Sequence, residues 1–232
     1  MKIIHVTNVE KFVAQALPKQ PQKNRSIVES ILKNVQKNGD SAIKKYEKKF
    51  SGAKITSLRL SQNEIKDAFS KVSKNKIDAI RFSKSRLEKT ESAVKSILKN
   101  KSISTDGIKI SKKFTPIQSV GCYIPGGLAK YPSSVIMSVV PAKIAGVKRI
   151  VVVSPPNSDG EIDPLTIVAA NLCGANEIYK VGGAQAIAAL SFGTKSISKV
   201  DKIVGPGSAF VTIAKSIVSE RTSIDMIAGP TE

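Results

Sequence analysis

The sequence predicts an α/β protein in which a lysine-rich helical region precedes a parallel β-sheet with helices on both faces. In the first half, apolar residues recur at helical spacing. Past residue 107, short β-branched runs end in glycine or proline turns, and a helical segment follows each of them. Composition changes in the same region, since only 3 of the 15 glycines and 3 of the 11 prolines precede residue 117. Such alternation of strand and helix is typical of βαβ units.

Two pairs of helices are predicted in the first half. One covers residues 24–50 and is interrupted at Asn38-Gly39, because glycine commonly ends a helix. The other covers residues 61–100 and opens with a capping box, in which Ser61 precedes Glu64 by three positions. The apolar positions that predict these helices are Ile27, Ile31, Leu32, Val35, Ile43, Tyr46, Phe50, Ile65, Phe69, Val72, Ile77, Ile80, Leu87, Val94, Ile97 and Leu98.

Four strands, each followed by a helix, are predicted in the second half. Because crossovers of this length place helices on the faces of a sheet, we predict an open, mostly parallel, Rossmann-like sheet with helices on both faces. The predicted strands cover residues 120–124, 149–153, 177–181 and 202–204, and the predicted helices cover residues 133–145, 164–173, 184–192 and 208–219.

Charge is distributed unevenly along the chain. Residues 1–116 hold 27 basic and 10 acidic side chains, a net +17, whereas residues 117–232 hold 10 and 8, a net +2. These basic residues belong either to solvated helix surfaces or to a nucleic-acid footprint. The 37 basic residues are 31 lysines and 6 arginines, and lysine lacks the planar fork that recognises bases and phosphates. We therefore predict no nucleic-acid partner, and a nonspecific nucleic-acid binder remains the less favoured alternative.

Cysteine and histidine are scarce. Cys122 and Cys173 cannot form a disulfide framework, and both are predicted to be buried. His5 is the only histidine, so these residues build neither a Ser-His-Asp triad nor an HExxH zinc site. The N-terminus lacks the apolar run of a signal peptide, and no apolar stretch approaches 18 residues. We therefore expect a cytoplasmic protein without a membrane partner.

Ligands of open parallel sheets bind at the carboxyl ends of the strands. The loops there are YIPGG, SPPN, VGGAQA and VGPGS, and three of them are rich in glycine, which allows close approach of a ligand to the backbone. The helix N-terminus that follows offers free N–H groups to an anion. Neither GxGxxG nor GxxxxGK[ST] is present, so a nucleotide would be held by another arrangement.

Polar residues beside these glycines are the candidate ligand contacts. Tyr123 could hydrogen-bond or stack on a ligand, or it could pack at the rim of the core. Gln185 lies in the first turn of its helix, where it either presents its amide to a ligand or serves as a cap or surface residue. Ser208 and Thr231 also lie beside glycine turns, in VGPGS and in AGPTE.

Four motifs of the second half follow one another in a characteristic order. They read VGCYIPGGLAKYPSSVIMSVVPAKIAGVKRIVVVSPP, YKVGGAQAIAALSFGT, VDKIVGPGSAFVTIAKSIVS and IDMIAGPTE, and the earlier segment VQKNGDSAIKKYEKKF accompanies them. Together they resemble the histidinol dehydrogenase family from about residue 25 to residue 232. Four motifs in register are far more specific than a single glycine-rich loop.

The resemblance implies a homodimeric enzyme that uses NAD and zinc to oxidise L-histidinol to L-histidine in two steps, through an aldehyde, at the end of histidine biosynthesis. It implies that Tyr123, Gln185 and Ser208 contact NAD and that Thr231 contacts the substrate. The family more often has Asn where Ser208 stands and Ser where Thr231 stands. Threonine keeps the hydroxyl, whereas serine removes an amide from the cofactor site.

The resemblance also places the zinc ligands and the catalytic Glu-His pair of the family beyond residue 232. We therefore expect a partial sequence with no catalytic or metal-binding residue of its own, which by itself does not oxidise histidinol. The predicted domains are a helical region over residues 1–106 and a cofactor-binding domain over residues 107–232 that is incomplete at its C-terminus. The alternative is a noncatalytic short form that binds nucleotide or dimerises.

Overall fold

A computed structural model of the chain describes residues 6–9, 12, 22–126 and 130–226. Within them, the helices are α1 (Gln22–Phe50), α2 (Gln62–Ser70), α3 (Lys74–Ile97), α4 (Pro132–Ala145), α5 (Pro164–Cys173), α6 (Gly183–Phe192) and α7 (Ala209–Val218). The strands are β1 (Lys101–Thr105), β2 (Ile108–Lys112), β3 (Ser119–Tyr123), β4 (Arg149–Ser154), β5 (Glu177–Lys180), β6 (Lys202–Val204) and β7 (Ser223–Ile224).

The main sheet has five parallel strands in the order β5-β4-β3-β6-β7. The chain starts in the middle with β3, builds outward through β4 and β5, and then crosses back to place β6 on the other side of β3. This is the strand order of the Rossmann fold, whose ligands bind where the order reverses. The reversal falls between β3 and β6, so the loops that follow these strands lie side by side.

Two apolar layers cover the two faces of the sheet. On one face, α1, α6 and α7 pack together over the alternate residues Val151 and Val153 of β4. On the other face, α4 and α5 pack over Ile150 and Val152, and α2 and α3 pack against these helices from outside. The helical first half therefore contributes to both layers of the core.

An additional segment protects one edge of the sheet. Residues 58–60 pair with β5 in the antiparallel sense, since Leu60 N–H donates to the Ile178 carbonyl and Lys180 N–H donates to the Leu58 carbonyl. This pairing satisfies backbone groups that an open edge would expose to another chain.

The predicted α/β class and the four strand-helix pairs are confirmed, and most of their boundaries agree within one or two residues. The break at Gly39 is also confirmed, because this residue has φ +53° and ψ −131° inside α1. The capping box of Ser61 and Glu64 forms as predicted. Four residues of the predicted apolar pattern, Phe50, Val94, Ile97 and Leu98, are at least half exposed.

Three strands were not among those predicted. The strands β1 and β2 form a separate antiparallel hairpin, and the short β7 extends the main sheet beyond β6. The predicted boundary between residues 106 and 107 falls in the turn of this hairpin. The division into two domains stays a prediction.

Candidate functional site

The candidate site lies at the carboxyl ends of the parallel strands, where the chain passes from β3, β5 and β6 into the following segments. The loop after β6 touches the end of β3 closely: a Cβ on Gly205 would lie 2.1 Å from the carbonyl oxygen of Tyr123. Gly205 also has φ +110°, which side chains rarely adopt. Only glycine lets these two backbone segments meet.

Tyr123 ends β3 and is 5% exposed. Its hydroxyl accepts a hydrogen bond of 3.1 Å from the backbone N–H of Gly183, at the start of α6. Burial raises the pKa of this phenol above its ordinary value, so the hydroxyl stays protonated and keeps a proton to donate. The side chain thus belongs to the core and also supports the turn between β5 and α6.

Gln185 lies in the first turn of α6, and it is 2% exposed. Its Nε2 donates a hydrogen bond of 2.9 Å to Oε1 of Glu47, which is on α1 and 1% exposed. The backbone N–H of Gly182 donates to the same Glu47 oxygen, also at 2.9 Å. Burial raises the pKa of the Glu47 carboxyl, whereas these two hydrogen bonds oppose the rise. The carboxylate therefore joins α1 to the turn after β5.

The other amide atom of Gln185 has no partner. Its Oε1 is buried and accepts no hydrogen bond, alone among the buried side-chain polar atoms of the described residues. Leaving a buried acceptor unpaired costs free energy, so such an atom calls for an explanation such as a ligand or an ordered water.

The two glycines of this turn are required by close packing. A Cβ on Gly182 would lie 2.4 Å from Cβ of Pro155, in the loop after β4. Gly183 has φ +58°, and a Cβ there would lie 2.8 Å from Oε1 of Gln185. Because Gly183 has no side chain, the unpaired Oε1 of Gln185 lies beside its backbone.

A groove of about 710 Å³ opens beside this turn, within the size range of small-molecule sites. Gln185 and Ser208 both line it, so the structure brings together two of the predicted residues. Tyr123 is not part of its wall and reaches it only through Gly183. Much of the remaining wall is apolar and includes Phe50 and Phe210.

Ser208 is the N-cap residue of α7 and is exposed. Its hydroxyl makes no capping hydrogen bond, so the first N–H groups of α7 have no side-chain cap from Ser208. Thr231, the predicted substrate contact, lies outside the described residues, as do His5 and Gly127.

An ion pair between the buried Lys215 and the more exposed Asp225 holds the loop after β6. Lys215 of α7 is 4% exposed; its ammonium pairs with the Asp225 carboxylate and donates a hydrogen bond of 3.1 Å to the Gly205 carbonyl. Asp225 in turn accepts a hydrogen bond of 2.8 Å from the Gly205 N–H. Both polar groups of Gly205 are thus bound, which ties the GPGS loop to the segment after β7.

Sequence reasoning missed Glu47, Lys215 and Asp225. A signal existed for Glu47, because it lies four positions after Ile43 on the apolar face of α1, where a carboxylate is out of place. Lys215 likewise occupies an apolar helix, between Ala214 and Ile217. Charged residues on such faces need partners. Those of Glu47 lie more than 130 residues away along the chain, whereas those of Lys215 lie ten residues away on either side.

No metal centre can be assigned from the described part of the chain. It contains no group of three or more His, Cys, Asp or Glu side chains that could hold an ion. The two cysteines are both buried and free, as predicted. Among the helices of the described ranges, none combines the length and apolarity needed to cross a membrane.

The parallel sheet, its strand order and the glycine-rich loops at its carboxyl edge place the protein in the class of Rossmann-like α/β proteins. The sequence profile described as histidinol dehydrogenase matches residues 15–232. A histidinol dehydrogenase from Clostridium acetobutylicum is 45% identical over 228 residues, which cover 96% of this chain and 52% of that protein. One from Methanococcus maripaludis is 47% identical over 205 residues, 88% of this chain and 48% of the relative.

A solved structure supports the same relationship. The crystal structure of histidinol dehydrogenase from Elizabethkingia anophelis superposes with a TM-score of 0.85 at 37% identity, covering 99% of this chain and 50% of that one. The chain belongs to the histidinol dehydrogenase family, as its motifs predicted. It spans about half the length of the curated relatives it matches.

Proposed function

We propose that the protein containing this chain is a histidinol dehydrogenase, which oxidises L-histidinol to L-histidine in two NAD-linked steps. The chain supplies the NAD-binding sheet of that enzyme. Family membership supports the reaction. The observation that carries the cofactor role is the buried, unpaired Oε1 of Gln185, a residue that lines a groove at the carboxyl edge of a Rossmann-like sheet. NAD, when bound, accepts the hydride in each oxidation.

The groove suits the parts of a dinucleotide. Its apolar wall beside Phe50 and Phe210 fits an aromatic ring, and the unpaired Gln185 Oε1 accepts a hydrogen bond from a hydroxyl or N–H. At Ser208, a free hydroxyl and the N-terminus of α7 favour an anionic group such as a pyrophosphate. Tyr123 and Glu47 hold the turn on which Gln185 sits.

The zinc dependence and homodimeric assembly of this enzyme are also proposed on family grounds. No described cluster fits a metal ion, so no step through zinc is derived from these residues. His5 is the only histidine in the 232 residues, which leaves no imidazole pair for acid-base work. The chain by itself is therefore expected to bind NAD without oxidising histidinol.

Calorimetric titration with NAD and histidinol-dependent formation of NADH test this proposal, both measured on the protein at its full encoded length. Gln185→Met keeps the length of the side chain but removes the acceptor, and it should raise the Kd for NAD about tenfold, the effect of one hydrogen bond. Gln36→Met, at an exposed position of α1, is the matched control and should bind normally. Full affinity in Gln185→Met, or no histidinol oxidation by the full-length protein, contradicts the proposal.

A further inference from the structure

Glu47 is the acidic side chain with the deepest burial among the described residues, at 1% exposed. It lies near the end of α1, a helix whose buried face packs against the sheet layer through apolar residues such as Ile43. A buried carboxylate is costly unless hydrogen bonds satisfy it, so an apolar residue would be the simpler choice if packing alone were needed. The carboxylate therefore points to a specific task.

Its partners define that task. In the described part of the chain, no Lys or Arg forms an ion pair with Glu47. Its Oε1 instead accepts from the Gly182 N–H and from Gln185 Nε2, each at 2.9 Å. Ser51 lies 3.4 Å from Oε2 and donates a shorter bond, of 2.7 Å, to the Glu47 carbonyl. Both strong contacts of the carboxylate go to the turn between β5 and α6.

An ionised carboxylate only accepts hydrogen bonds, and this property selects one orientation of the Gln185 amide. If the amide turned over, its Oε1 would lie where Nε2 now lies, 2.9 Å from an oxygen of Glu47. Two buried acceptors would then face each other without a proton between them, which is unfavourable. Glu47 thereby keeps Nε2 directed at itself and leaves Oε1 as the free atom of Gln185.

We propose that Glu47 is a positioning residue for the cofactor: it orients the Gln185 amide so that an acceptor, and not a donor, is available to the ligand in the groove. This inference rests on the proposed NAD binding. It also assigns the chemistry of the contact, because an acceptor pairs with a ribose hydroxyl or an amino or amide N–H and repels a phosphate oxygen. The phosphates then belong near Ser208 and the N-terminus of α7.

A double-substitution cycle in the full-length protein tests the assignment, with the Kd for NAD as the readout. Glu47→Gln keeps the shape and can still accept from Gly182, but its own amide tolerates either orientation of Gln185. It should weaken NAD binding about fivefold to tenfold, and raise the KM for NAD with little change in kcat, because the residue acts on cofactor binding. In the Gln185→Met background the same substitution should have no effect on the Kd.

Asp40→Asn is the matched control for this cycle. Asp40 is also on α1, and its carboxylate accepts a hydrogen bond of 2.6 Å from the Ser196 hydroxyl. Ser196 follows the C-terminal end of α6, whereas Gln185 lies at the N-terminal end of that helix. It should lower stability without changing the Kd in either background. Where Glu47→Gln fails to fold, Glu47→Asp replaces it, since it keeps the charge but withdraws it by one methylene. Glu47→Asp should cause a smaller loss of NAD affinity, and this loss should likewise vanish in the Gln185→Met background.

The outcomes separate this inference from the function on which it rests. If the unsubstituted protein does not bind NAD, the proposed function is wrong and the inference falls with it. If Gln185→Met weakens binding but the Glu47 variants bind NAD normally, only the positioning role is overturned. Equal losses from Glu47→Gln in both backgrounds also overturn it, because Glu47 would then act independently of Gln185.

Discussion

Replacing Gly205 with alanine should disrupt the meeting point of β3 and β6 more than any exposed glycine substitution. The residue has φ +110°, and an added Cβ would lie 2.1 Å from the carbonyl oxygen of Tyr123, a backbone atom that cannot rotate away. Relief of this overlap requires the loop after β6 to move away from β3. That movement also pulls Gly205 from Asp225 and Lys215, which bind its N–H and carbonyl.

The size of the effect follows from these contacts. A side chain in the left-handed region costs about 1 to 2 kcal/mol, and loss of a hydrogen bond to a charged partner costs about 1.5 to 3 kcal/mol. We expect Gly205→Ala to lower the free energy of unfolding by about 3 to 5 kcal/mol, a large share of the 5 to 15 kcal/mol typical of a domain. The NAD affinity should fall as well, because the loop carries Ser208.

Gly107→Ala is the matched control, and urea denaturation is the assay. Gly107 lies in the turn between β1 and β2, where φ is also positive, at +78°, but a Cβ would meet nothing within 4 Å. Its substitution should cost only the backbone strain, about 1 kcal/mol. If the two variants lose the same stability to within about 0.5 kcal/mol, close packing at Gly205 is not what requires glycine there.

Three further predictions concern thiol reactivity, pH dependence and the Lys215–Asp225 ion pair. Burial raises the pKa of Cys122 to about 12 and that of Cys173 to about 11. Iodoacetamide near neutral pH should therefore label neither thiol until the protein is unfolded. Labelled native protein in the mass spectrum would contradict this prediction. Because burial raises the pKa of Glu47, its ionisation costs stability as the pH rises through its folded pKa. Glu47→Gln removes that cost, so the variant should gain stability relative to the unsubstituted protein as the pH rises above 4.5, the ordinary pKa of a glutamate. If the difference in free energy of unfolding between the two proteins does not change with pH, the raised pKa of Glu47 is refuted. Lys215→Met leaves the Asp225 carboxylate without its cation and should cost about 2 to 3 kcal/mol in denaturant unfolding, whereas a loss below about 0.5 kcal/mol means that the pair contributes little.

The sequence predicted the α/β fold because local patterns encode it directly. Each βαβ unit shows its β-branched run, its glycine or proline turn and its helical repeat within about 30 residues, and no distant residue is needed to recognise them. Gly39 and the Ser61–Glu64 capping box are equally local, and both form as predicted. The family resemblance rests on the same local motifs.

The candidate site was only partly predictable. Gln185 and Ser208 were named from their places beside glycine turns, and the structure brings them to one groove. Their roles in cofactor binding stay predictions. Glu47 was missed, because its partners lie more than 130 residues away and no spacing rule connects them.

What the sequence by itself determined was therefore the set of elements, the positions of the glycine turns and the family to which the chain belongs. The tertiary structure alone decided the strand order, the packing of α1 against α6 and the burial of Glu47 beside Gln185. The reason is physical: turns and helix periods depend on neighbours within a few residues, whereas the orientation of the Gln185 amide depends on which distant acceptor reaches it. Burial then makes that contact strong, since water no longer competes for the same hydrogen bonds.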